Sequence, residues 1–261
     1  MRRSRTSSLG KAVPASALLF VVFPLLVSLL SLSSACSQHP PSEGGISHRH
    51  MHQADHIEAG KVSQPDAHHS FEDAELWSKR FDAPNRKDWQ KPEEVIELMK
   101  IEPGMTVADI GAGTGYFLGY LSNAVGAHGR VLGLDVEPDM VDFMTDRSKR
   151  EGWTNVEART VQPHDPGLRA GTIDRILIVN VWHHIYDDRK SYSRKLYEAL
   201  TPGGKILVVD FTQQSSHGPP VSQRLRPEEV MAELQAAGLR VEILQESLPD
   251  QYIVLGQRPG E

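Results

Sequence analysis

The sequence predicts an α/β fold in which helices cover both faces of a mostly parallel sheet. From residue 106 onward, short apolar runs alternate with helix-forming segments, and this alternation implies parallel strands joined by crossover helices. The last two runs, near 240–246 and 251–257, are joined through Pro249-Asp250, which is too short for a crossover. They therefore predict an antiparallel pair, so that one strand near the C-terminus is reversed.

Each element follows from periodicity and from its flanking residues. A helical stretch begins in 71–77 and stops near Pro84. A second helix is predicted to start with Pro92 at a first helical position, followed by two acids, and to end at Met99 or Lys100. The predicted strands lie near 106–110, 131–135, 155–159, 173–179, 205–211, 240–246 and 251–257. Further helices are predicted near 114–125, 138–150, 186–200 and 227–237.

A glycine-rich turn directly follows the first predicted strand. Gly111, Gly113 and Gly115 stand at alternate positions, which lets the backbone approach a ligand closely and adopt positive φ angles. Asp109 closes the strand two residues earlier. A dinucleotide site has the spacing G-x-G-x-x-G, and a pyrophosphate disfavours a nearby anion. Taken alone, the turn leaves open a glycine-rich βα turn in another kind of α/β protein.

Three more motifs follow in order. The run 130–135 ends in an acid, Asp135; the nearly continuous apolar run 172–180 leads into Trp182-His183-His184; and 200–210 combines Pro-Gly-Gly with an apolar run. Together with the glycine turn, these motifs resemble class I S-adenosylmethionine-dependent methyltransferases, and the resemblance covers roughly residues 71–258. It implies a Rossmann-like, doubly wound, seven-stranded and mostly parallel sheet with one antiparallel strand near the C-terminus.

The resemblance implies a small-molecule methyltransferase with S-adenosyl-L-methionine as cofactor. Asp109 and the three glycines would hold the methionine portion, because its ammonium and sulfonium favour a carboxylate, and Asp135 would bind the ribose hydroxyls. Asp165, with His164 as second choice, would face the adenine amino group, although a solvated loop acid is the alternative. Asn180 would lie close to the transferred methyl group.

His183 and His184 are the candidate catalytic residues. Histidine is readily tuned as a general base near neutral pH, so one of them would take a proton from a hydroxyl or amine acceptor. The alternative is that they cap a helix, line the pocket or pack, since methyl transfer can proceed by alignment alone. Trp77, Trp89 and Gln90 are interpreted as part of an N-terminal lid over residues 71–100, and Trp182 as a cover for the substrate.

The N-terminus predicts export. Basic residues in 2–11 precede an apolar run at 17–30, and Ser34-Ala35 lead into Cys36, the only cysteine. This layout is typical of a secretory signal over residues 1–35; a membrane-spanning anchor is the alternative. The position of Cys36 resembles a bacterial lipobox, which implies lipidation and attachment to a membrane, whereas simple cleavage after Ala35 would fit the same residues.

Residues 36–70 are interpreted as a disordered tether ahead of a methyltransferase domain at 71–261. Seven of the twelve histidines lie between His39 and His69. Clustered imidazoles can bind zinc, copper or nickel weakly, and a simple low-complexity tether is the other interpretation. No metal site is predicted in the domain.

The charge distribution argues against a nucleic-acid partner. The formal net charge is −6, and about −10 without residues 1–35, whereas binding a phosphate backbone needs a concentrated basic face. Export is harder to reconcile with S-adenosylmethionine, which is made in the cytosol. A second interpretation is therefore an exported, non-catalytic nucleoside- or metal-binding lipoprotein that retains the fold.

Overall fold

The computed structural model describes residues 73–186 and 188–260, which contain seven strands and seven α-helices. The strands are β1 Thr106–Ile110, β2 Arg130–Asp135, β3 Val156–Thr160, β4 Ile173–Val179, β5 Leu200–Phe211, β6 Arg240–Ile243 and β7 Gln251–Gln257. The helices are α1 Ala74–Phe81, α2 Arg86–Gln90, α3 Pro92–Met99, α4 Leu118–Val125, α5 Pro138–Glu151, α6 Arg189–Ala199 and α7 Pro227–Ala236.

The strands form one sheet in the order β3-β2-β1-β4-β5-β7-β6. Strands β1 to β5 run parallel to one another, and β7 runs antiparallel to both of its neighbours, β5 and β6. The predicted fold class, including the single reversed strand, is confirmed. The strand order reverses between β1 and β4, and ligands of open α/β sheets bind at the carboxyl ends beside such a point.

The core lies on both faces of the sheet. One apolar cluster contains Ala108 and Ile178 and packs against α6 and α7, whereas the other contains Val107 and Leu177 and packs against α3 and α4. Successive residues of β4 therefore enter different clusters. This explains why its sequence is continuously apolar rather than alternating.

The structure corrects several of the predicted elements. Helix α4 starts at Leu118, not 114, because Gly115 has a φ of 78°, which no right-handed helix accepts. Helix α2, five residues long, was missed between the two predicted helices. Strand β6 ends at Ile243. The Pro202-Gly203-Gly204 segment lies inside β5 as an irregularity in its pairing with β4, rather than in a separate turn.

The predicted signal segment 1–35, Cys36 and the tether 36–70 lie outside the described residues. The helices between residues 73 and 260 are all too short or too polar to cross a membrane.

Arg175 of β4 fixes α3 to the sheet. Its Nε donates to the carbonyl of Met99 at 2.7 Å, and its Nη2 donates to the carbonyl of Lys100 at 2.9 Å. The last carbonyls of a helix have no partner within the helix, so this buried guanidinium supplies donors that the end of α3 lacks. It thereby positions the N-terminal helices on the sheet.

We expect Arg175→Met to lower the free energy of unfolding by about 1.5–3 kcal/mol, because charged hydrogen bonds to buried carbonyls are lost. Urea unfolding followed by circular dichroism measures the change. The control is Arg159→Met on β3, whose half-exposed side chain pairs with Glu157 and should change stability by less than about 0.5 kcal/mol. Equal stability of the two variants would contradict this role.

Candidate active site

The end of β2 holds the glycine turn in place. The amides of Gly111 and Ala112 both donate to the carbonyl of Leu134, at 2.8 and 3.0 Å. Gly111, Gly113 and Gly115 have φ angles of 66°, 56° and 78°, which side chains disfavour. A Cβ on Gly111 would lie 2.4 Å from a methyl of Val181. The turn therefore requires its glycines, as the motif predicted.

Asp135 completes this arrangement. Its carboxylate accepts from the amide of Gly113 at 2.8 Å and from that of Glu137 at 3.0 Å. The side chain is buried at the carboxyl end of β2, and burial raises its pKa above the ordinary value. The structure thus places Asp135 beside the turn, and ribose binding stays its predicted role.

Asp109 is the second buried carboxyl group here, with 3% of its surface exposed. Burial raises its pKa to about 8, against the opposing effect of the positive charge on Arg86. Because an uncompensated charge is costly in such a place, Asp109 favours a cationic ligand. This agrees with its predicted role towards an ammonium group.

The sequence analysis missed Arg86, the first residue of α2. Its Nη1 donates to the carbonyl of Phe81 at 2.7 Å, and its guanidinium carbon lies 4.0 Å from the ring centroid of Tyr116 in the glycine turn. Burial lowers its pKa to about 10, so the group remains protonated at neutral pH. No motif marks this residue. The only sequence signal is a cation close to Trp89.

A buried cluster of amide side chains joins α2 to the strand ends. Gln90 donates to Gln251 at 2.6 Å, and Gln251 donates to Asn180 at 2.5 Å. The oxygen of Gln90 in turn accepts from Asn180 at 3.4 Å and from Arg86 at 3.2 Å. Asn180, predicted to bind the cofactor, therefore has its amide group engaged by protein partners. Its cofactor role remains a prediction.

The N-terminal helices lie against the glycine turn. The ring of Trp77 stacks on Phe81 at 5.3 Å, and a Cβ on Gly113 would meet the Phe81 ring at 3.4 Å. The segment assigned as a lid is thus in contact with the predicted cofactor loop. Trp182 was expected to cover the substrate, and this expectation was wrong. Its side chain is fully buried in the core, and its indole donates to Glu233 at 2.7 Å.

His183 forms a buried pair with Asp210, at the end of β5. Its Nδ1 lies 2.8 and 3.0 Å from the two carboxylate oxygens, and each residue has less than 5% of its surface exposed. The carboxylate also accepts from the amides of His183, at 3.3 Å, and Phe211, at 2.8 Å. His184 is half-buried beside it, with ring centroids 4.2 Å apart. Sequence analysis identified both histidines but not the partner.

Aromatic side chains connect this pair to Arg86. The ring centroid of Phe211 lies 6.2 Å from His183 and 6.2 Å from Trp89, and the guanidinium carbon of Arg86 lies 6.0 Å from the Trp89 ring. His183, the predicted base, and Arg86 therefore lie at the two ends of one row of aromatic side chains, which we call the aromatic row.

Asp165 lies apart from these contacts. Its carboxylate accepts from the amide of Gly167 and from the ammonium of Lys195, both at 2.9 Å, and these bonds lower its pKa. Lys195 also donates to the carbonyl of His164, which is exposed. The structure shows these partners, and adenine binding by either residue stays a prediction.

Within the described ranges, no group of three or more His, Cys, Asp or Glu side chains is arranged to hold a metal ion. The histidines between His39 and His69, for which weak metal binding was considered, lie outside those ranges.

Comparison with known proteins points to methyltransferases, as the sequence motifs do. Residues 107–204 match a family described as "Methyltransferase domain". A ubiquinone/menaquinone biosynthesis C-methyltransferase of Hydrogenovibrio crunogenus is 30% identical over 133 residues, 48% of each chain. A demethylmenaquinone methyltransferase of Oceanobacillus iheyensis is 26% identical over 168 residues, 61% of this chain and 68% of that protein. The chain thus spans about half the length of the first of these relatives.

Among solved structures, a SAM-dependent methyltransferase from Aquifex aeolicus superposes with a TM-score of 0.66 at 28% identity, covering 71% of this chain and 98% of that one. The fold is therefore that of this S-adenosylmethionine-dependent methyltransferase, and residues 107–204 match a methyltransferase domain.

Proposed function

We propose that this protein methylates a small, planar acceptor, with His183 as general base. The observation that carries the proposal is the buried contact between His183 and Asp210, with 2.8 Å between Nδ1 and the nearer carboxylate oxygen. This pair lies at the carboxyl edge of the sheet, connected by aromatic rings to the glycine turn.

The residues at the glycine turn fit S-adenosylmethionine. The turn leaves no room for a Cβ on Gly111, buried Asp109 suits the ammonium group, and Asp135 suits paired ribose hydroxyls because a carboxylate accepts two hydrogen bonds. When bound, the cofactor supplies an activated methyl group on a sulfonium.

Asp210 orients the base. A carboxylate beside Nδ1 keeps the proton on that nitrogen, so Nε2 carries the lone pair in the neutral imidazole. Nε2 can then remove the proton of an acceptor hydroxyl, and the negative charge of Asp210 stabilises the imidazolium that forms. The half-buried ring of His184 would serve as a wall beside this proton transfer.

The acceptor class is argued from the aromatic row. Phe211 is buried, and Trp89 is half-buried with the ring of His217 stacked on it at 4.6 Å between centroids. A planar ring packs favourably against such an aromatic group. Two relatives have names that refer to quinones, and a hydroquinone combines a planar ring with an ionisable hydroxyl. We therefore propose hydroquinones or similar phenols, methylated on carbon or oxygen.

We also propose that the protein is exported and held at a membrane by lipid on Cys36. The support is the order of basic, apolar and small residues before this cysteine. Such a location would put the enzyme beside membrane-dissolved quinols.

The first prediction from the proposed function concerns the base, His183. His183→Ala should lower kcat by about 10²–10⁴-fold while S-adenosylhomocysteine affinity stays nearly unchanged. Asp210→Asn should also lower kcat, because the base loses its orienting charge. Turnover is measured as transfer of label from methyl-labelled S-adenosylmethionine to 1,4-naphthohydroquinones and catechols.

The matched control is His128→Ala, an exposed histidine in the turn before β2, which should leave turnover unchanged. Full turnover in both His183→Ala and His184→Ala would show that alignment alone drives transfer. If wild type binds S-adenosylhomocysteine but methylates no hydroquinone or catechol, the acceptor class is wrong.

The second prediction follows from the pKa of Asp109, which burial raises to about 8. Below that pH the free protein carries a protonated Asp109, and an ammonium ligand would ionise it and release a proton. Affinity for S-adenosylhomocysteine should therefore increase from pH 6 to pH 8, by up to about tenfold per unit. Calorimetry in buffers of different ionisation enthalpy measures the number of protons that are released on binding.

Asp109→Asn should bind more weakly and without this pH dependence, whereas Asp142→Asn, an exposed acid on α5, should behave like wild type. A pH-independent affinity in wild type, with no proton released, would contradict the role of Asp109.

The third prediction tests the location. Mass spectrometry of the native protein should find a mature N-terminus at Cys36 carrying lipid, and Cys36→Ser should move the protein from the membrane fraction or block processing. An unmodified Cys36, or residues 1–35 still attached, would show that the anchor proposal is wrong.

A further inference from the structure

A second histidine–aspartate pair lies beside the loop that connects β5 to α7. Nδ1 of His217 is 3.2 Å from a carboxylate oxygen of Asp250, and its imidazole stacks on the ring of Trp89, with 4.6 Å between centroids and 17° between planes. The first pair, His183 and Asp210, lies at the end of β5, only seven residues before His217 in the chain. Both pairs therefore adjoin the same strand end.

The loop that carries His217 is held in a fixed conformation. The guanidinium of Arg224 donates at 2.8–3.3 Å to backbone carbonyls along this loop, those of Thr212, Gln213, Ser215, His217 and Pro219. The amide of Ser216 donates to Asp250 at 2.8 Å. These bonds keep the imidazole in one place, which is what a residue that meets a ligand requires.

Phe211 connects His217 with the proposed base. The ring centroid of Phe211 lies 6.2 Å from that of His183, and a Cβ on Gly218, the residue after His217, would come within 2.4 Å of the same ring. The two histidines therefore flank one buried aromatic side chain at the carboxyl edge of the sheet, where open α/β sheets bind their ligands.

The surroundings of the imidazole determine what it can bind. A carboxylate beside Nδ1 keeps the proton on that nitrogen, so Nε2 of the neutral ring carries a lone pair. The hydrogen bonds that the described residues make to this ring all involve Nδ1, and the side chain of His217 is 40% exposed. Its Nε2 is thus an acceptor that a hydroxyl group of a ligand can reach.

We propose that His217 is a specificity-determining residue, whose Nε2 accepts a hydrogen bond from a second hydroxyl group of the acceptor while His183 removes the proton of the first. The proposal rests on the proposed function, because it takes His183 as the base and a hydroxylated ring as the acceptor. It narrows that function to rings with two hydroxyl groups. Asp250 is then a positioning residue, which acts through Nδ1 of His217.

The test compares two acceptors of nearly the same shape, 1,4-dihydroxynaphthalene and 4-methoxy-1-naphthol, of which the second lacks one hydroxyl donor. Transfer of label from methyl-labelled S-adenosylmethionine is measured without oxygen, and kcat and KM are determined for each acceptor. Wild type should favour the dihydroxy compound by about fivefold or more in kcat/KM, as expected when one hydrogen bond is lost.

Two variants separate hydrogen bonding from packing. His217→Phe keeps an aromatic ring beside Trp89 but has no acceptor atom, so the preference should disappear through a higher KM for the dihydroxy compound. With 4-methoxy-1-naphthol, kcat/KM of this variant should stay within about twofold of wild type. His217→Gln restores an acceptor atom near the position of Nε2 and should retain part of the preference.

The matched control is His128→Phe, at an exposed histidine before β2, which should keep the full preference of wild type. Melting temperatures verify that each variant is folded.

Equal kcat/KM of wild type for the two acceptors would overturn the proposal, whether or not His217→Phe folds. A folded His217→Phe that loses activity equally towards both acceptors, or keeps the preference, would also overturn it, because the imidazole would then only support Trp89. The proposed function would survive these results, since both compounds are then methylated. If wild type methylates neither compound, the proposed function itself fails, and this inference fails with it.

Discussion

The site depends on the hydrogen bonds between the end of β2 and the glycine turn. The carbonyl of Leu134 accepts two amides and the carboxylate of Asp135 accepts a third, and these bonds hold a backbone that has three residues at positive φ. Only glycine adopts that conformation without strain. The glycine turn also places the ring of Tyr116 against the guanidinium of Arg86. The pairing of β1 with β2 therefore influences the position of Arg86 as well.

The N-terminal helices reach the site through polar contacts that span the chain. Gln90 and Gln251 are 161 residues apart, and their side chains bond while both are buried. A buried amide cluster is stable only when nearly all of its members are satisfied, and here Asn180 and Arg86 complete it. Loss of one member would therefore affect α2, the end of β4 and the start of β7 together.

The sequence predicted the fold well because its signals are local. Periodicity, glycines and prolines located all seven strands, and the short link before β7 predicted its reversal. Arg86 and Asp210 were not predicted as site residues, because their roles come from neighbours distant in sequence: Asp210 lies 27 residues from His183. Helix α2 was missed because five residues are too few to show a period. Trp182 was misassigned because an aromatic residue beside two histidines does not reveal which way it faces.

The two buried acid–base pairs differ in what each must do with charge. Asp109, whose pKa burial raises to about 8, would ionise on binding to face the fixed ammonium charge of a ligand, with the positive charge of Arg86 nearby. In the proposed transfer, His183 would gain a positive charge with the proton, while the sulfonium would lose one. Asp210 accepts from two backbone amides as well as from the imidazole. These bonds hold its carboxylate in place whether His183 is neutral or protonated. Under this proposal the site would bury no additional net charge during transfer, which makes a buried base such as His183 compatible with the reaction.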